Sequence, residues 1–176
     1  MRDRIIPTVV TAIVAIGIAG AEPIPLMNPG FEDGQNGWAF KDKGMSLVLG
    51  EAARSGSQGL RVNDEDIDHG SEVTCARFAT EPGKKVTARC WVRLNDGEGL
   101  GIYLRFFKGD GTSLNKMELG NEISVKVSAE TREWQKVEVS GTVPEEAIEG
   151  EIWIHSYSSS QVKADLDDFE LEQVTP

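Results

Sequence analysis

Hydrophobic and polar residues alternate with a period of two along most of the chain after residue 22. The clearest example is residues 86–93, and the same alternation occurs in residues 102–107, 136–140, 152–155 and 168–171. A period of two is the pattern of strands that turn one face to a core. Glycine, proline, asparagine and aspartate interrupt the pattern about every ten residues, as turns do in all-β proteins. The sequence therefore predicts an all-β sandwich of two antiparallel sheets.

A short apolar segment at the start of the chain is predicted to be a signal peptide. Two arginines among the first four residues precede a mostly apolar run over residues 5–18, and small residues follow at 19–21. Signal peptidase accepts small residues at such positions, so we expect cleavage near Ala21. A membrane anchor is the alternative, but the run is short and contains a proline. We expect a signal peptide, 1–21, and one secreted or periplasmic domain, 22–176.

The charge balance limits the possible partners. The chain has 18 Lys plus Arg against 29 Asp plus Glu, which gives a net charge of −11. Nucleic acids and anionic membrane surfaces attract clustered positive charge, so neither is an expected partner. The mature chain is expected to be a monomer.

Two cysteines, Cys75 and Cys90, fall at inward positions of neighbouring predicted strands. In an oxidising compartment a pair of cysteines forms a disulfide more often than a metal or redox site. We predict a Cys75–Cys90 disulfide, and the alternative is two buried free thiols that act as small apolar side chains.

Several short motifs follow one another in a characteristic order. They are residues 28–34 followed by Gly37-Trp38, then 53–62, 83–94, 134–137 and 166–171. This order resembles the carbohydrate-binding modules of the family 4/9 and 22 type, which are galactose-binding-domain-like jelly rolls. The resemblance covers nearly all of residues 22–176. It implies a jelly-roll sandwich that binds poly- or oligosaccharide.

The same resemblance implies a structural calcium ion. Carried over by position, its ligands are Glu32, Asp168 and backbone carbonyls of residues 54–59, with Asp167 as a further candidate. Carboxylates and carbonyls are the oxygen ligands that calcium prefers. The alternative is a pair of solvated acids on the last strand. A second acidic group at residues 64–69 lacks the spacing of an EF-hand loop, so we interpret it as a solvated loop.

Outward positions of the predicted strands carry aromatic and basic residues suited to sugars. Aromatic rings stack on the C–H face of a pyranose, and polar side chains bond its hydroxyls. The predicted ligand residues are Arg89, Trp91, Tyr103, Arg105, Phe107, Trp153, His155 and Tyr157. Alternatives stay open: Trp91, Tyr103 and Trp153 also suit packing between sheets, and Arg89 and Arg105 also suit cross-strand pairs with Glu138. Trp38 and Trp134 are predicted to be core residues.

Nothing in the sequence marks a catalytic site. The chain has two histidines, and no serine or cysteine has a recognisable activating context. Glycoside hydrolysis needs only two carboxylates, but no pair stands out among the acids. We therefore expect non-catalytic carbohydrate binding. The rivals are an exported structural or adhesive domain without sugar specificity and, more remotely, a small lyase or hydrolase.

Overall fold

The computed structural model describes residues 20–116, 120–130 and 132–175. Within these ranges the chain forms twelve β-strands and one short 3-10 helix, η1 (Gly50–Ala52). The strands are β1 (Glu22–Pro23), β2 (Trp38–Phe40), β3 (Ser46–Leu49), β4 (Gly59–Asp64), β5 (Val73–Cys75), β6 (Phe78–Ala79), β7 (Lys85–Gly97), β8 (Leu100–Phe107), β9 (Ile123–Lys126), β10 (Gln135–Thr142), β11 (Glu149–Ser156) and β12 (Val162–Val174). The predicted signal peptide lies outside the described residues, except for Gly20 and Ala21. Across the described ranges, no helix has the length and apolarity needed to cross a membrane.

The strands form two antiparallel sheets. Sheet A has the order β10-β7-β12-β4-β3, with β1 paired to β12. Sheet B has the order β2-β5-β11-β8-β9, with β6 paired to β11. Apart from β3–β4 and β8–β9, neighbouring strands are not consecutive in the chain, as expected when a chain passes back and forth between two layers. The predicted all-β sandwich is confirmed.

The core lies between the two sheets and is built from alternate residues of the strands. Every second residue of β7 from Val86 to Leu94 is at most 2% exposed, and so are Ile102, Leu104 and Phe106 of β8. The inward residues of β11, Ile152 and Ile154, are fully buried. Each such side chain contributes roughly 1.5–3 kcal/mol by leaving water. The predicted inward and outward positions of these strands are confirmed.

One end of the core is closed by three aromatic rings. Trp38 lies 4.8 Å from Phe31 and 4.9 Å from Phe169 between ring centroids. The indole N–H of Trp38 donates to the carbonyl of Asn28 at 3.1 Å, which satisfies its one polar atom. This cluster ties the N-terminal turn to the last strand, and Trp38 is a core residue as predicted.

The predicted disulfide is wrong. Cys75 and Cys90 are both buried, but both are free thiols. Cys75 lies on β5 in sheet B and Cys90 lies on β7 in sheet A, so the two strands are not neighbours. The sulfur of Cys75 instead accepts the backbone N–H of Ile152 at 3.1 Å. Burial raises the pKa of Cys75 to about 12 and also raises that of Cys90, so both thiols stay protonated.

Candidate functional site

The eight predicted ligand residues lie on two opposite surfaces of the sandwich. Arg89 and Trp91 are outward residues of β7 in sheet A. The other six belong to β8 or β11 of sheet B or follow β11 directly: Tyr103, Arg105, Phe107, Trp153, His155 and Tyr157. Because the two sheets share one core, their outer faces point in opposite directions. The eight residues therefore do not share one face. Alternation in the sequence reveals which residues point outward, but it does not reveal which sheet carries them.

The outer face of sheet B carries a continuous row of planar groups. In the β8–β11 register, Tyr103 is opposite Trp153, and their ring centroids are 4.6 Å apart. The rings of Trp153 and His155 stack at 4.4 Å with 20° between their planes. We call Tyr103, Arg105, Trp153 and His155 the sheet B platform.

The ring of Trp153 is half-buried and has a neighbour on each side. The guanidinium carbon of Arg105 lies 4.4 Å from the ring centroid, and His155 stacks at the same distance. Arg105 lies opposite Glu151, which is two residues before Trp153 on β11, and His155 is two residues after Trp153. The side chains of Arg105 and His155 therefore flank the indole along the strand. The indole therefore presents its edge, rather than a flat face, to anything above the sheet.

Two aromatic residues of β8 project outward but are covered by other side chains. Tyr103 is 2% exposed and Phe107 is 6% exposed, although both project outward from sheet B. Burial, together with a hydrogen bond to Tyr157, raises the pKa of the Tyr103 phenol. Phe107 lies beneath the guanidinium of Arg77, which is 3.8 Å from its ring centroid. These rings support the platform and contribute little accessible surface.

A groove of about 400 Å³ runs beside the platform. Its walls are the platform side chains on one side and the segment before and within β9 on the other. The lining residues are Tyr103, Leu104, Arg105, Ser113, Asn115, Lys116, Glu122, Ile123 and Trp153. This mixture of rings, an aliphatic side chain and a few polar groups is typical of small-ligand sites.

The outer wall of the groove is fixed by Asn115. Its side-chain amide donates to the carbonyl of Leu104 at 2.7 Å and accepts the N–H of Phe106 at 2.7 Å. These bonds replace the strand partner that β8 lacks at this point. The preceding turn closes at Asp110-Gly111, where Gly111 has a φ of 85°, a conformation that glycine adopts readily. Asn115 is therefore held against β8 by buried hydrogen bonds.

Charges on this face are arranged in pairs. Arg105 forms an ion pair with Glu151, which is 7% exposed. Arg77 lies 3.0 Å from Glu149. The predicted alternative for Arg105, a pair with Glu138, is wrong because Glu138 lies on β10 of the other sheet. Paired charges leave the face close to neutral.

Sheet A presents a different surface. Arg89 pairs with Glu138 at 2.6 Å and with Glu172 at 2.7 Å, which confirms the cross-strand alternative for Arg89. The hydrogen bonds that its guanidinium donates to Glu172 and Glu138 raise the pKa of Arg89. Trp91 is half-buried, with the guanidinium carbon of Arg54 3.7 Å from its ring centroid.

Trp134 does not belong to the core, contrary to prediction. It is half-exposed and lies just before β10, where the guanidinium of Arg93 covers its ring at 4.8 Å. The core positions of β10 begin three residues later, at Val137. The side chain therefore adds to the surface of sheet A.

Two carboxylates, those of Asp167 and Asp168, lie beside Gly30, where the resemblance implies calcium, while the carboxylate of Glu32 is directed to Ser57 and Gln58. A Cβ atom on Gly30 would lie 3.5 Å from Asp167 Oδ1, 4.0 Å from Asp168 Oδ1 and 4.0 Å from Glu32 Cγ. Within the described part of the chain, however, no three Asp, Glu, His or Cys side chains are arranged as a ready metal shell. Each of the three acids is instead turned toward a hydrogen-bond donor.

The donors come from the turn at residues 54–58. The backbone N–H groups of Arg54 and Ser55 donate to Asp167 Oδ2 at 2.8 and 3.1 Å. Those of Ser57 and Gln58 donate to Glu32, whose pKa is lowered chiefly by the Ser57 hydroxyl and then by these N–H groups. The turn thus directs N–H groups at the carboxylates, where we predicted carbonyl oxygens.

Asp167 and Asp168 differ in how their charge is compensated. Burial raises the pKa of Asp167, and the nearby negative charge of Asp168 also raises it. The backbone N–H groups of Ser55, Arg54 and Asp168 act in the opposite direction and lower it. Asp168 bonds to side chains rather than to backbone N–H groups, Arg54 Nη1 at 2.7 Å and Ser55 Oγ at 2.6 Å. The cluster therefore retains excess negative charge, a condition that favours a cation.

The second acidic group is less solvated than predicted. Asp64 is 2% exposed and accepts the hydroxyl of Ser156 at 2.5 Å. The rest of the loop is exposed or half-buried, and its acids cap backbone N–H groups, as Asp66 does for Asp68 at 2.8 Å. A polar cleft of about 660 Å³ adjoins this loop.

Three residues that line the groove or pair with its arginine were not predicted from the sequence. They are Asn115, Glu122 and Glu151. Asn115 and Glu122 lie in a mixed polar segment with no period, and Glu151 occupies an outward position like many surface acids. The one available signal was for Glu151, since an acid directly opposite an arginine suits a cross-strand pair.

Comparisons with known proteins agree with this architecture. A family profile described as a carbohydrate binding domain matches residues 26–161. A solved family 16 carbohydrate-binding module is 17% identical with a TM-score of 0.61, over 83% of this chain and 97% of that one. A CBM61 module solved with β-1,4-galactotriose is 21% identical with a TM-score of 0.54, over 85% of this chain and 98% of that one.

A larger solved structure from Clostridium thermocellum contains a similar domain. It joins a CBM22 module to a xylanase module, in complex with xylohexaose, and is 14% identical with a TM-score of 0.60. The match covers 85% of this chain and 28% of that one. A search of curated protein sequences found no match. Since the family profile spans most of the sequence, the chain belongs to the carbohydrate binding domain family CBM_4_9 and is a carbohydrate-binding module.

Proposed function

We propose that the outer face of sheet B and its groove bind an extended, electrically neutral glycan chain without cleaving it. The observation that carries this proposal is the groove of about 400 Å³ between the platform and β9, with rings on one wall and amide and charged groups on the other. Such a site buries the apolar side of a sugar and bonds its hydroxyls.

Neutrality of the ligand follows from the charges. The platform arginine is already paired with Glu151, and the groove itself holds one further cation, Lys116, and one anion, Glu122. A polymer of uronic acids would meet no unpaired positive patch here. Hydroxyl-bearing sugars need none, because neutral donors and acceptors suffice for them.

The form of the aromatic contact differs from simple stacking. Arg105 and His155 lie against the ring of Trp153, so a pyranose meets ring edges and polar groups. Edge contacts bury less apolar area than face stacking does. We therefore expect weak binding, with dissociation constants nearer to millimolar than to nanomolar, on the order of −4 to −6 kcal/mol.

Non-catalytic binding is supported by the state of the acids on this face. Glu151 and Glu149 are held in ion pairs with Arg105 and Arg77. Glycoside hydrolysis requires one carboxyl as acid and another as base or nucleophile on either side of the bond. Both carboxylates are engaged by arginines on the same face and are not placed as such a pair on either side of a sugar bond.

A structural or adhesive role without sugar specificity is the second candidate. The covering of Tyr103, Phe107 and both sides of Trp153 by other side chains favours it. Affinity electrophoresis in gels containing soluble xylan, galactan or β-glucan, with an inert protein as reference, separates the two roles. Retardation by at least one glycan supports the binding module, and unaltered mobility in all gels, with no adsorption to insoluble polysaccharide, rejects it.

We also propose a structural calcium ion next to Gly30, held by Glu32 and Asp168 with Asp167 beside them. Carboxylate chemistry suits calcium, and the under-compensated charge of Asp167 supports it. Arg54 would have to leave Asp168 for the ion to bind. The ion would join the N-terminal turn to the last strand and so stabilise the fold.

Export is proposed from the N-terminal pattern. Two early arginines, an apolar run and small residues at 19–21 support cleavage near Ala21. Expression of the full chain in a bacterium, followed by cell fractionation and N-terminal sequencing, tests this. A cytoplasmic product that keeps its first residues would contradict export.

A further inference from the structure

His155 is held by a buried network that the proposed binding role does not itself explain. Its ring Nδ1 lies 2.5 Å from the carbonyl oxygen of Ser71. A carbonyl can only accept, so Nδ1 must carry the ring proton. In the neutral ring, Nε2 is then left as a hydrogen-bond acceptor.

The carbonyl that fixes the ring is itself locked in place. Ser71 and Ser156 exchange two bonds: the N–H of Ser71 donates to Ser156 Oγ at 2.6 Å, and the N–H of Ser156 donates to Ser71 Oγ at 2.9 Å. The Ser156 hydroxyl donates onward to Asp64. All three residues are at most 2% exposed, so this network is shielded from water.

The ring is also fixed by packing. One face stacks on Trp153, and Tyr103 lies at 6.2 Å in an edge arrangement. The ring carbon Cε1 is backed by Gly70, where an added Cβ would approach it to 2.6 Å. Gly101 lies opposite His155 across the strands, and the space that a side chain would take there is filled by the Tyr103 ring, whose Cε2 would lie 2.7 Å from an added Cβ. Among the described residues, Nε2 has no hydrogen-bond partner, and the residue is half-buried at the surface.

We infer that His155 Nε2 is a preorganised acceptor for a hydroxyl group of the bound glycan, with Ser71, Ser156 and Asp64 as positioning residues. This inference rests on the proposed function of the sheet B platform. Arginines and lysines at the groove can only donate, and the carboxylates of Glu149 and Glu151 are taken by arginines. His155 therefore adds a neutral acceptor to a face whose other acceptor at the groove is the carboxylate of Glu122, and a sugar lacking that hydroxyl should bind more weakly.

The ring assignment is tested without any ligand. Long-range proton–nitrogen NMR of the ¹⁵N-labelled mature protein distinguishes the Nδ1–H from the Nε2–H form. The chain has two histidines, so a His69→Asn variant assigns the signals. We expect the Nδ1–H form for His155, and a predominant Nε2–H form would overturn the inference. Ser156→Ala should return the ring to a mixture of forms, which a merely structural role of Ser156 would not produce.

The binding role is tested by calorimetric titration with xylohexaose and β-1,4-galactotriose. His155→Asn keeps a side-chain amide that reaches Ser71 but removes the acceptor, and we expect affinity to fall about five- to tenfold, as for one hydrogen bond. His155→Gln places an amide oxygen near the Nε2 position and should recover part of the loss. Melting temperatures of both variants check folding.

The outcomes separate the two proposals. Equal affinity of the wild-type protein and a folded His155→Asn variant overturns this inference and leaves the sheet B site in place. If the wild-type protein binds neither these sugars nor the polysaccharides in the affinity gels, the proposed function is wrong. The inferred contact between His155 and a sugar is then also wrong, even if NMR finds the Nδ1–H form of the ring.

Discussion

Trp153 and His155, two residues apart on β11, stack with their ring centroids 4.4 Å apart. Residues i and i+2 of a strand share a face, and here Arg105 extends the stack on the far side of the indole. Sheet B thus carries an ordered column of planar groups at its outer surface. The opposite surface, on sheet A, carries its own half-buried indole, Trp91, beneath Arg54. The two tryptophans form a matched pair for locating the site.

Replacing Trp153 by alanine should remove glycan binding, while replacing Trp91 by alanine should leave it unchanged. Trp153 lines the groove and braces Arg105 and His155, so its loss dismantles the platform. Both residues are half-buried and covered by an arginine, so each substitution has a similar cost in stability. Affinity electrophoresis of both variants is the measurement. The reverse result would move the site to sheet A.

The strands and their inward faces are predictable from the sequence because period-2 alternation is a local property. Val86, Ala88, Cys90 and Val92 illustrate this, since each is buried as expected. The sheet that a strand joins is not local. It depends on pairings such as that of β7 with β12, whose partners lie from 65 residues apart (Gly97 and Val162) to 89 residues apart (Lys85 and Val174).

That distinction explains the two main corrections. Cys75 and Cys90 are both inward as predicted, but they lie on different sheets rather than on neighbouring strands, and both are free thiols. Trp91 and Trp153 are both outward, but on opposite faces. The groove was harder still to foresee, because Asn115 works through bonds to Leu104 and Phe106 that no sequence pattern encodes.

Both thiols should resist alkylation in the native protein and react once it is unfolded. Burial raises the pKa of Cys75 to about 12, and the reactive thiolate is therefore scarce at neutral pH. We expect intact mass after iodoacetamide treatment to show no label on native protein. Denaturation without reductant should add two labels, and a disulfide would instead require reductant first.

Asp165 should be the acid whose neutralisation costs the most stability. It is fully buried on β12 and accepts Arg61 Nε at 2.7 Å, Arg93 Nη2 at 2.7 Å and Asn95 Nδ2 at 2.8 Å. Removing one partner of a buried charge network leaves the others uncompensated, so Asp165→Asn should lower the unfolding free energy by about 3 kcal/mol. Urea unfolding measures this, with the exposed Asp96→Asn as control. A loss as small as that of the control would contradict the assignment.

The same residue predicts a pH dependence. Burial raises the pKa of Asp165, but the hydrogen bonds from Arg61, Arg93 and Asn95 outweigh burial and lower it below the ordinary value of 3.8. A lowered pKa in the folded state contributes stability that is present above pH 3.8 and is lost as the pH falls through the folded value. The difference in stability between the wild-type protein and Asp165→Asn should therefore be constant from pH 7 to about 5 and shrink in stronger acid. A difference that grows on acidification would contradict this sign.

Calcium should raise the melting temperature, and the effect should depend on Glu32. An ion at one hundred times its dissociation constant adds about 2.7 kcal/mol, or about 5–10 °C for a domain of this size. Scanning calorimetry in calcium and in chelator measures the shift. Glu32→Gln should abolish it, whereas the exposed neighbour substitution Asp33→Asn should keep it. Identical melting in calcium and chelator would show that the N–H groups of residues 54–58 and the Arg54 guanidinium compensate the carboxylates without an ion.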